Sequence, residues 1–388
     1  MHNFDVVIVG GALVGQAFAL SMADEDFSIA IVEPNEPNPK LDSKFHTRVS
    51  AITPKSQDFL TRIGAWDQIK RKSAFTQTKV WDQNSHGNLS FDAKDDDLPY
   101  LGHIIENDAI QSALFNALKI TQVRFVSAKL ESIDKTDDGY QINLDDKTSL
   151  STKLLIGADG ARSRIRDLAG IEYSENDYGQ KAIVCNIASE KSFDQTTWQR
   201  FLSESIIALL PLEDKQASIV WSAENHLADQ LINLDKKTFA KRLSEGVEYR
   251  FGLFKVLSDV QSFPLIERSA KDYVKKNLAL IGDAAHNIHP LAGQGVNLGF
   301  ADCDELSSQI KQHKNKPLGD YLVLRKYARA RRLDNELMAK TMTGLNWIYK
   351  ENSEPMRWLR GFGMNVIDEV PALKSFFQDR AIGKSLTE

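Results

Sequence analysis

The stretch whose reading decides the fold is VVIVGGALVGQAFA, residues 6–19. Its β-branched start reads as a buried strand, and the paired glycines lead into a segment of helical composition from Leu13 to Ala23. The spacing approximates the G-x-G-x-x-G turn of dinucleotide-binding strand–helix–strand units. There the first glycine makes the tight turn, the second admits a phosphate, and the third lets helix and strand pack. Gly10 and Gly15 hold the first and third places, while Ala12 holds the second with an extra glycine, Gly11, beside it. Ala12 adds one methyl at the approach point but removes no N–H. The helix start therefore still offers unpaired amides and a positive dipole end to a pyrophosphate. A second apolar run, SIAIV, ends at Glu33, where an acid can hold ribose hydroxyls and disfavours a 2′-phosphate. Read alone, the segment is also compatible with a glycine turn made for packing.

Composition narrows the classes. The chain has 388 residues, 42% hydrophobic and 26% charged, with a formal net charge of −5. These values fit a globular chain of two domains, or one large domain with an insertion, and give no reason to expect nucleic acid as partner. A secretory leader is disfavoured because the residues before the apolar run carry Asp5 and no Lys or Arg. The chain is therefore expected to be cytoplasmic or peripheral to a membrane. Cys185 and Cys303 lie in apolar periodic segments and read as small buried hydrophobes in a reducing compartment. His286 and His289 form an H-x-x-H without an acid placed to complete a site, so no metal is expected.

Two further strand ends carry polar turns. The run up to Ile156 enters GADGARSRIR (157–166), and the run up to Ile281 enters GDAAHNIHPLAGQGVNLG (282–299). Between them, short apolar or alternating strands at 182–187, 206–210 and 217–221 suggest a sheet with a different task. Beyond Gly295 the composition is mostly helical.

This trio of turns, in this order, resembles the class A flavoprotein aromatic hydroxylases, with the fold of p-hydroxybenzoate hydroxylase, through nearly the whole chain. RVSAI (48–52), LGHIIEN (101–107) and HPLAGQGVNLGF (289–300) are similar to the ubiquinone-biosynthesis hydroxylases. VWDQNSHGNLSFD (80–92), SIVWS (218–222) and FKVLSDVQSFPL (254–265) most resemble their 2-octaprenylphenol hydroxylase branch. The resemblance implies an α/β fold: a Rossmann-like FAD-binding domain, an inserted mixed β-sheet substrate domain and a helical C-terminus. The expected division is 1–75, 100–180 and 272–345 for the discontinuous FAD domain, 76–99 and 181–271 for the substrate domain, and 346–388 for the C-terminal helices.

The resemblance also implies the cofactor, FAD, with NAD(P)H as transient electron donor. Gly10, Gly11, Ala12, Val14, Gly15 and Glu33 would hold the adenine dinucleotide end. Gly282 and Asp283 would meet the ribityl chain, with Pro290, Gly293, Gln294, Gly295, Val296 and Asn297 near the isoalloxazine ring. Asp159 falls in the motif that contacts the FAD site and is implicated in pyridine-nucleotide binding. Arg48 would lie against FAD, or else be a solvated arginine. Asn107 would touch the cofactor, or else cap a helix. No acid–base residue is assigned.

The implied reaction is hydroxylation of a polyprenylphenol ring with O₂. The rival readings are a later ring position in the same pathway, a small soluble aromatic substrate, and a non-catalytic flavoprotein scaffold. Ile183, Ile187, Leu209, Leu210, Val220 and Trp221 read as an apolar wall for the substrate or as plain core. The basic run Arg325, Lys326, Arg329, Arg331 and Arg332 reads as a solvated helix face. Together with MRWLRGFGMNVIDEV (356–370), it also reads as contact with anionic lipid at the inner membrane, with other ubiquinone-biosynthesis proteins, or with a second copy.

Overall fold

A parallel strand buried on both faces needs a near-continuous apolar run. Residues 6–9 supply one: all four are buried at the end of β1 (His2–Val9). The computed structural model describes residues 2–35, 41, 43–83, 88–287 and 295–350. Parallel to β1 run β2 (Ile29–Val32) on one side and β11 (Ser149–Gly157) on the other. The sheet continues through β8 (Arg124–Val126) beside β2, and through β19 (Leu278–Leu280) and β18 (Val274–Lys275) beyond β11. An antiparallel ribbon of β9 (Leu130–Lys135) and β10 (Tyr140–Leu144) pairs with β11 and makes eight strands. Helices α1 (Leu13–Met22), α3 (Asn107–Leu118), α7 (Gly295–Gln312) and α8 (Tyr321–Lys350) pack beside this sheet, with α1 touching both α3 and α7.

The fingerprint glycines work as the sequence suggests. Gly10 turns the chain at φ +108°, a conformation that L side chains rarely adopt. Gly15 lets α1 lie on that turn: a methyl there would sit 1.9 Å from the Gly10 carbonyl oxygen.

Two other sheets complete the fold. A three-stranded one joins β3 (Val49–Ile52), β7 (Gly102–Glu106) and β4 (Ser73–Phe75), with α2 (Pro54–Arg62) following β3. Thr53 caps α2 by accepting from the Ser56 N–H, and Pro54 opens it. The nine-stranded sheet contains β5 (Gln77–Asp82), β6 (Asn88–Asp92), β12 (Tyr173–Ala188), β13 (Thr196–Phe201), β14 (Ser205–Glu213), β15 (Gln216–Glu224), β16 (Lys255–Val256), β17 (Gln261–Ala270) and β20 (His286–Asn287). Helix α4 (Arg164–Leu168) precedes β12, while α5 (Asn225–Ile232) and α6 (Lys236–Gly246) cover one face of this sheet.

Strand periodicity divides the residues read as a substrate wall. Ile183, Ile187, Leu209 and Trp221 share one cluster with Phe239 and Leu243 of α6 and are plain core. Leu210 and Val220 point to the opposite face, toward Ala51 of β3 and Ile104 of β7. Side chains alternate between faces, so residues adjacent in sequence cannot line one wall. The basic run needs a similar correction. Arg325, Lys326, Arg329 and Arg332 are exposed, but Arg331 is buried against α7. The segment 356–370 and the C-terminal helices expected beyond Lys350 lie outside the described residues.

Replacing Gly15 by Ala separates packing from propensity. Helix propensity alone would favour alanine by about 1 kcal/mol. The carbonyl contact makes the change destabilising by about 2 kcal/mol or more. Thermal unfolding of Gly15→Ala is therefore expected at a lower midpoint than wild type; an unchanged or raised midpoint contradicts the contact.

Candidate cofactor site

Four parallel strands end level. Val9 is in register with Val32 and Gly157, and Gly157 with Leu280. The ladder runs one residue further at each: Gly10 N–H donates to the Val32 carbonyl (2.9 Å), Ala158 N–H to Val9 (2.8 Å) and Ile281 N–H to Gly157 (3.0 Å). Gly10, Glu33, Asp159, Gly282 and Asp283 consequently emerge along one edge. After β1 the strand order departs in both directions, to β2 and to β11. Ligands of open α/β sheets bind at the carboxyl edge beside such a switch point.

At the β1–β2 end, the Glu33 carboxylate accepts the Gly11 N–H through Oε2 (2.8 Å) and the Asn35 N–H through Oε1 (3.2 Å). Glu33 approaches so closely that a methyl on Gly11 would lie 2.7 Å from its Cβ. Helix α1 opens at the exposed Ala12 with no side-chain cap and no acid in its first turn. Its first intrahelical bond is Gln16 N–H to the Ala12 carbonyl, which leaves the amides of Leu13, Val14 and Gly15 for a ligand. A carboxylate with spare lone pairs beside uncapped amides is the donor and acceptor set that a ribose and pyrophosphate require. The residues present fit the dinucleotide half of FAD.

At the β19 end, the Asp283 side chain reaches solvent from between the buried Gly282 and Ala284. Burial pushes its carboxyl above the usual range, His286 draws it down, and Asp302 adds to the rise. Val14 joins the two ends: its side chain is the nearest neighbour of Gly282 and Gly299, and its carbonyl accepts the Cys303 thiol (3.3 Å). Gly295 opens α7 and Val296 packs on the main core. The Asn297 amide is used structurally, donating to the Ala51 carbonyl (2.7 Å) and accepting from Thr53 N–H (3.2 Å). Pro290, Gly293 and Gln294 lie outside the described residues, as does His289. Among the described residues no His, Cys, Asp and Glu cluster could hold a metal.

Asp159 spends its carboxylate on its own loop. It accepts from the Ser163 hydroxyl and from the N–H groups of Arg164 (2.7 Å) and Ile165 (3.1 Å), which caps α4. Sequence reasoning passed over Arg166 in the same motif. This buried guanidinium donates to the carbonyls of Ala284 and Ala161 (both 3.1 Å) and stacks on Tyr173 at 4.0 Å. It ties the Asp159 loop to the Asp283 turn. Nothing in the spacing of GARSRIR separates it from its exposed neighbours.

Asn107 is the first residue of α3. Its side-chain oxygen accepts from the Ser50 hydroxyl (2.7 Å), and its N–H donates to the Arg48 carbonyl (3.0 Å). Arg48 is exposed, with its guanidinium 4.6 Å from the Phe263 ring centre on β17. Residues 45–48 thus cross between two sheets. Asn186 of β12 donates to the carbonyls of Phe45 (2.7 Å) and His46 (3.2 Å), and buried Glu106 accepts the His46 N–H (2.8 Å) while pairing with Arg71. The Asn186 anchor falls in no motif, and Glu106 lies within LGHIIEN, whose pattern does not mark it as an anchor.

The FAD binding domain family model matches residues 3–339. The 3-demethoxyubiquinol 3-hydroxylase of Escherichia coli (strain K12) is 34% identical, covering 98% of both chains. The mitochondrial ubiquinone biosynthesis monooxygenase COQ6 of Mus musculus is 34% identical over 96% of this chain and 89% of its own. Among solved structures, p-nitrophenol 4-monooxygenase PnpA from Pseudomonas putida DLL-E4 has a TM-score of 0.79, 19% identity and 99% coverage of both chains. The chain belongs to the FAD binding domain family and is an FAD-dependent aromatic-ring monooxygenase.

Asp283→Ala tests the flavin end. The variant is expected to purify folded but nearly colourless, with the 450 nm flavin absorbance far below wild type. Full yellow colour would contradict the role given to Asp283.

Proposed function

We propose that the enzyme hydroxylates the aromatic ring of a polyprenylphenol intermediate of ubiquinone biosynthesis, in the manner of 2-octaprenylphenol to 2-octaprenyl-6-hydroxyphenol. The observation that carries this reading is the near end-to-end similarity to relatives named as ubiquinone-biosynthesis hydroxylases. The face of the nine-stranded sheet turned away from α5 and α6 supports it, a mostly buried surface packed toward β3 and β7. Val184, Val220 and Ala208 are in register across β12, β15 and β14, with Ala182 and Phe263 paired beside them. That row is apolar, as a prenylated ring requires, and Arg48 at Phe263 marks its polar border. In this reading the eight-stranded sheet serves the cofactor and the nine-stranded sheet the substrate; β12 begins at Tyr173 and β20 lies at His286–Asn287, so the second sheet extends beyond the expected 76–99 and 181–271.

FAD, when bound, supplies the oxygen activation, with NAD(P)H as the proposed electron donor. The chain's own residues bind, orient and shield. In the proposed assignment Gly10 to Gly15 and Glu33 hold the dinucleotide, Gly282 and Asp283 hold the ribityl end, and the Gly293 to Asn297 segment adjoins the ring system. Arg48 and Asn107 border the cofactor from the three-stranded sheet, and Asp159 shapes the same edge through its loop. The apolar sheet face excludes water from the reacting ring.

A second reading has specific support. The Escherichia coli relative is named for hydroxylation of a demethoxyubiquinol, and this chain is 34% identical to it. We further propose peripheral contact with the membrane or a partner protein through α8. Leu322, Lys326, Arg329 and Leu333 recur at helical spacing and are all exposed. No helix among the described residues is long and apolar enough to cross a membrane.

Deleting the gene and extracting the quinones tests the assignment. Accumulation of a polyprenylphenol lacking the new hydroxyl is expected, and purified enzyme should convert that phenol with NAD(P)H and O₂. A demethoxy precursor instead would move the step to the later ring position. Normal ubiquinone, in a strain with no second hydroxylase, would contradict the pathway.

A further inference from the structure

The Gly282–Asp283 turn is held from behind by a buried ionic cluster. Asp302 of α7 is fully enclosed. Its Oδ2 accepts the Gly282 N–H (2.9 Å) and contacts His286 Nε2 (2.5 Å), and its Oδ1 accepts the Arg331 Nε–H (2.8 Å). Arg331 comes from α8 and is itself fixed by Asn335 (3.0 Å) and Asp334 (3.2 Å). One helical turn earlier, the buried Tyr327 hydroxyl donates to the Leu280 carbonyl (2.7 Å), at the strand end that leads into the turn. The Tyr273 ring lies over His286 with centroids 5.7 Å apart.

Packing α7 on α8 does not call for charges. A buried ion pair is often no better for stability than apolar residues of similar volume, and losing one partner is costly. What this pair adds is direction. The carboxylate oxygen that Arg331 orients through its fellow oxygen is also the acceptor for the Gly282 amide, next to Asp283.

We infer that Asp302 and Arg331 are positioning residues: α8, through Arg331 and then Asp302, sets the Gly282–Asp283 turn in the conformation that receives the flavin end of FAD. The inference rests on the assignment of that turn to the flavin end. It separates the two halves of the cofactor. The adenine half meets Gly11, Ala12 and Glu33, none of which touches the cluster. The flavin half depends on the cluster.

The test measures FAD and ADP affinities of the apoprotein by calorimetry for wild type, Asp302→Asn, Arg331→Gln and the double variant. Asp302→Asn is expected to weaken FAD about 10- to 100-fold, the scale of lost charge-assisted hydrogen bonds. ADP, which reports only the adenine end, should stay within about twofold, well under the tenfold that 1.4 kcal/mol represents. Because Arg331 acts through Asp302, the double variant should bind FAD no worse than Asp302→Asn alone. It also removes both charges of the Asp302–Arg331 pair together and carries the comparison if the single variant fails to fold. A parallel loss of ADP and FAD affinity would reduce the cluster to general stability and overturn the proposal, as would additive effects. Asp283→Ala runs alongside. If it weakens FAD while Asp302→Asn does not, the positioning role alone fails; if neither does, the assignment of the turn fails.

Discussion

The parallel register of β1, β2, β11 and β19 is the constraint on which the candidate site depends. It places the residues that follow Val9, Val32, Gly157 and Leu280 along one edge, although they come from opposite ends of the chain. Each strand supplies what its position allows. The turn after β1 supplies bare amides, β2 a carboxylate, β11 a capped loop, and β19 an acid that reaches solvent. The contact of Gly15 with the Gly10 carbonyl fixes α1 at the centre of this edge, and Val14 then reaches across to Gly282 and Gly299. One side chain thus adjoins both halves of the site.

The second sheet serves by having two unlike faces. Helices α5 and α6 bury one face of β12, β14 and β15, which anchors the sheet. The other face is free to meet β3 and β7, with residues 45–48 pinned between them by Asn186 and Glu106. The helix-covered core and the surface that meets β3 and β7 thus sit on opposite sides of the same strands.

Local rules made much of this legible. The strand–glycine–helix pattern at 6–19, the acid ending SIAIV and the long motif after Ile281 identified the cofactor class, because backbone geometry and phosphate chemistry constrain residue type there. What the sequence concealed came from tertiary context. Alternation alone does not say which face of a sheet a helix will cover, so Ile183 and Val220 looked equivalent. A run of five cations does not mark which will turn inward, so Arg331 looked like its exposed neighbours. Buried anchors such as Arg166 and Glu106 meet partners distant in sequence or held by backbone carbonyls, and no local spacing encodes them.

The central claim is that one cofactor spans this edge, adenine end at β1 and β2, reacting end at β19 and α7. Hydrogen–deuterium exchange of the apoprotein with FAD and with ADP tests it most directly. FAD should slow exchange both at Gly11 to Gly15 and at Ile281 to Ala285, whereas ADP should protect only the first segment. Full protection of the first segment by FAD with none at the second would contradict the account.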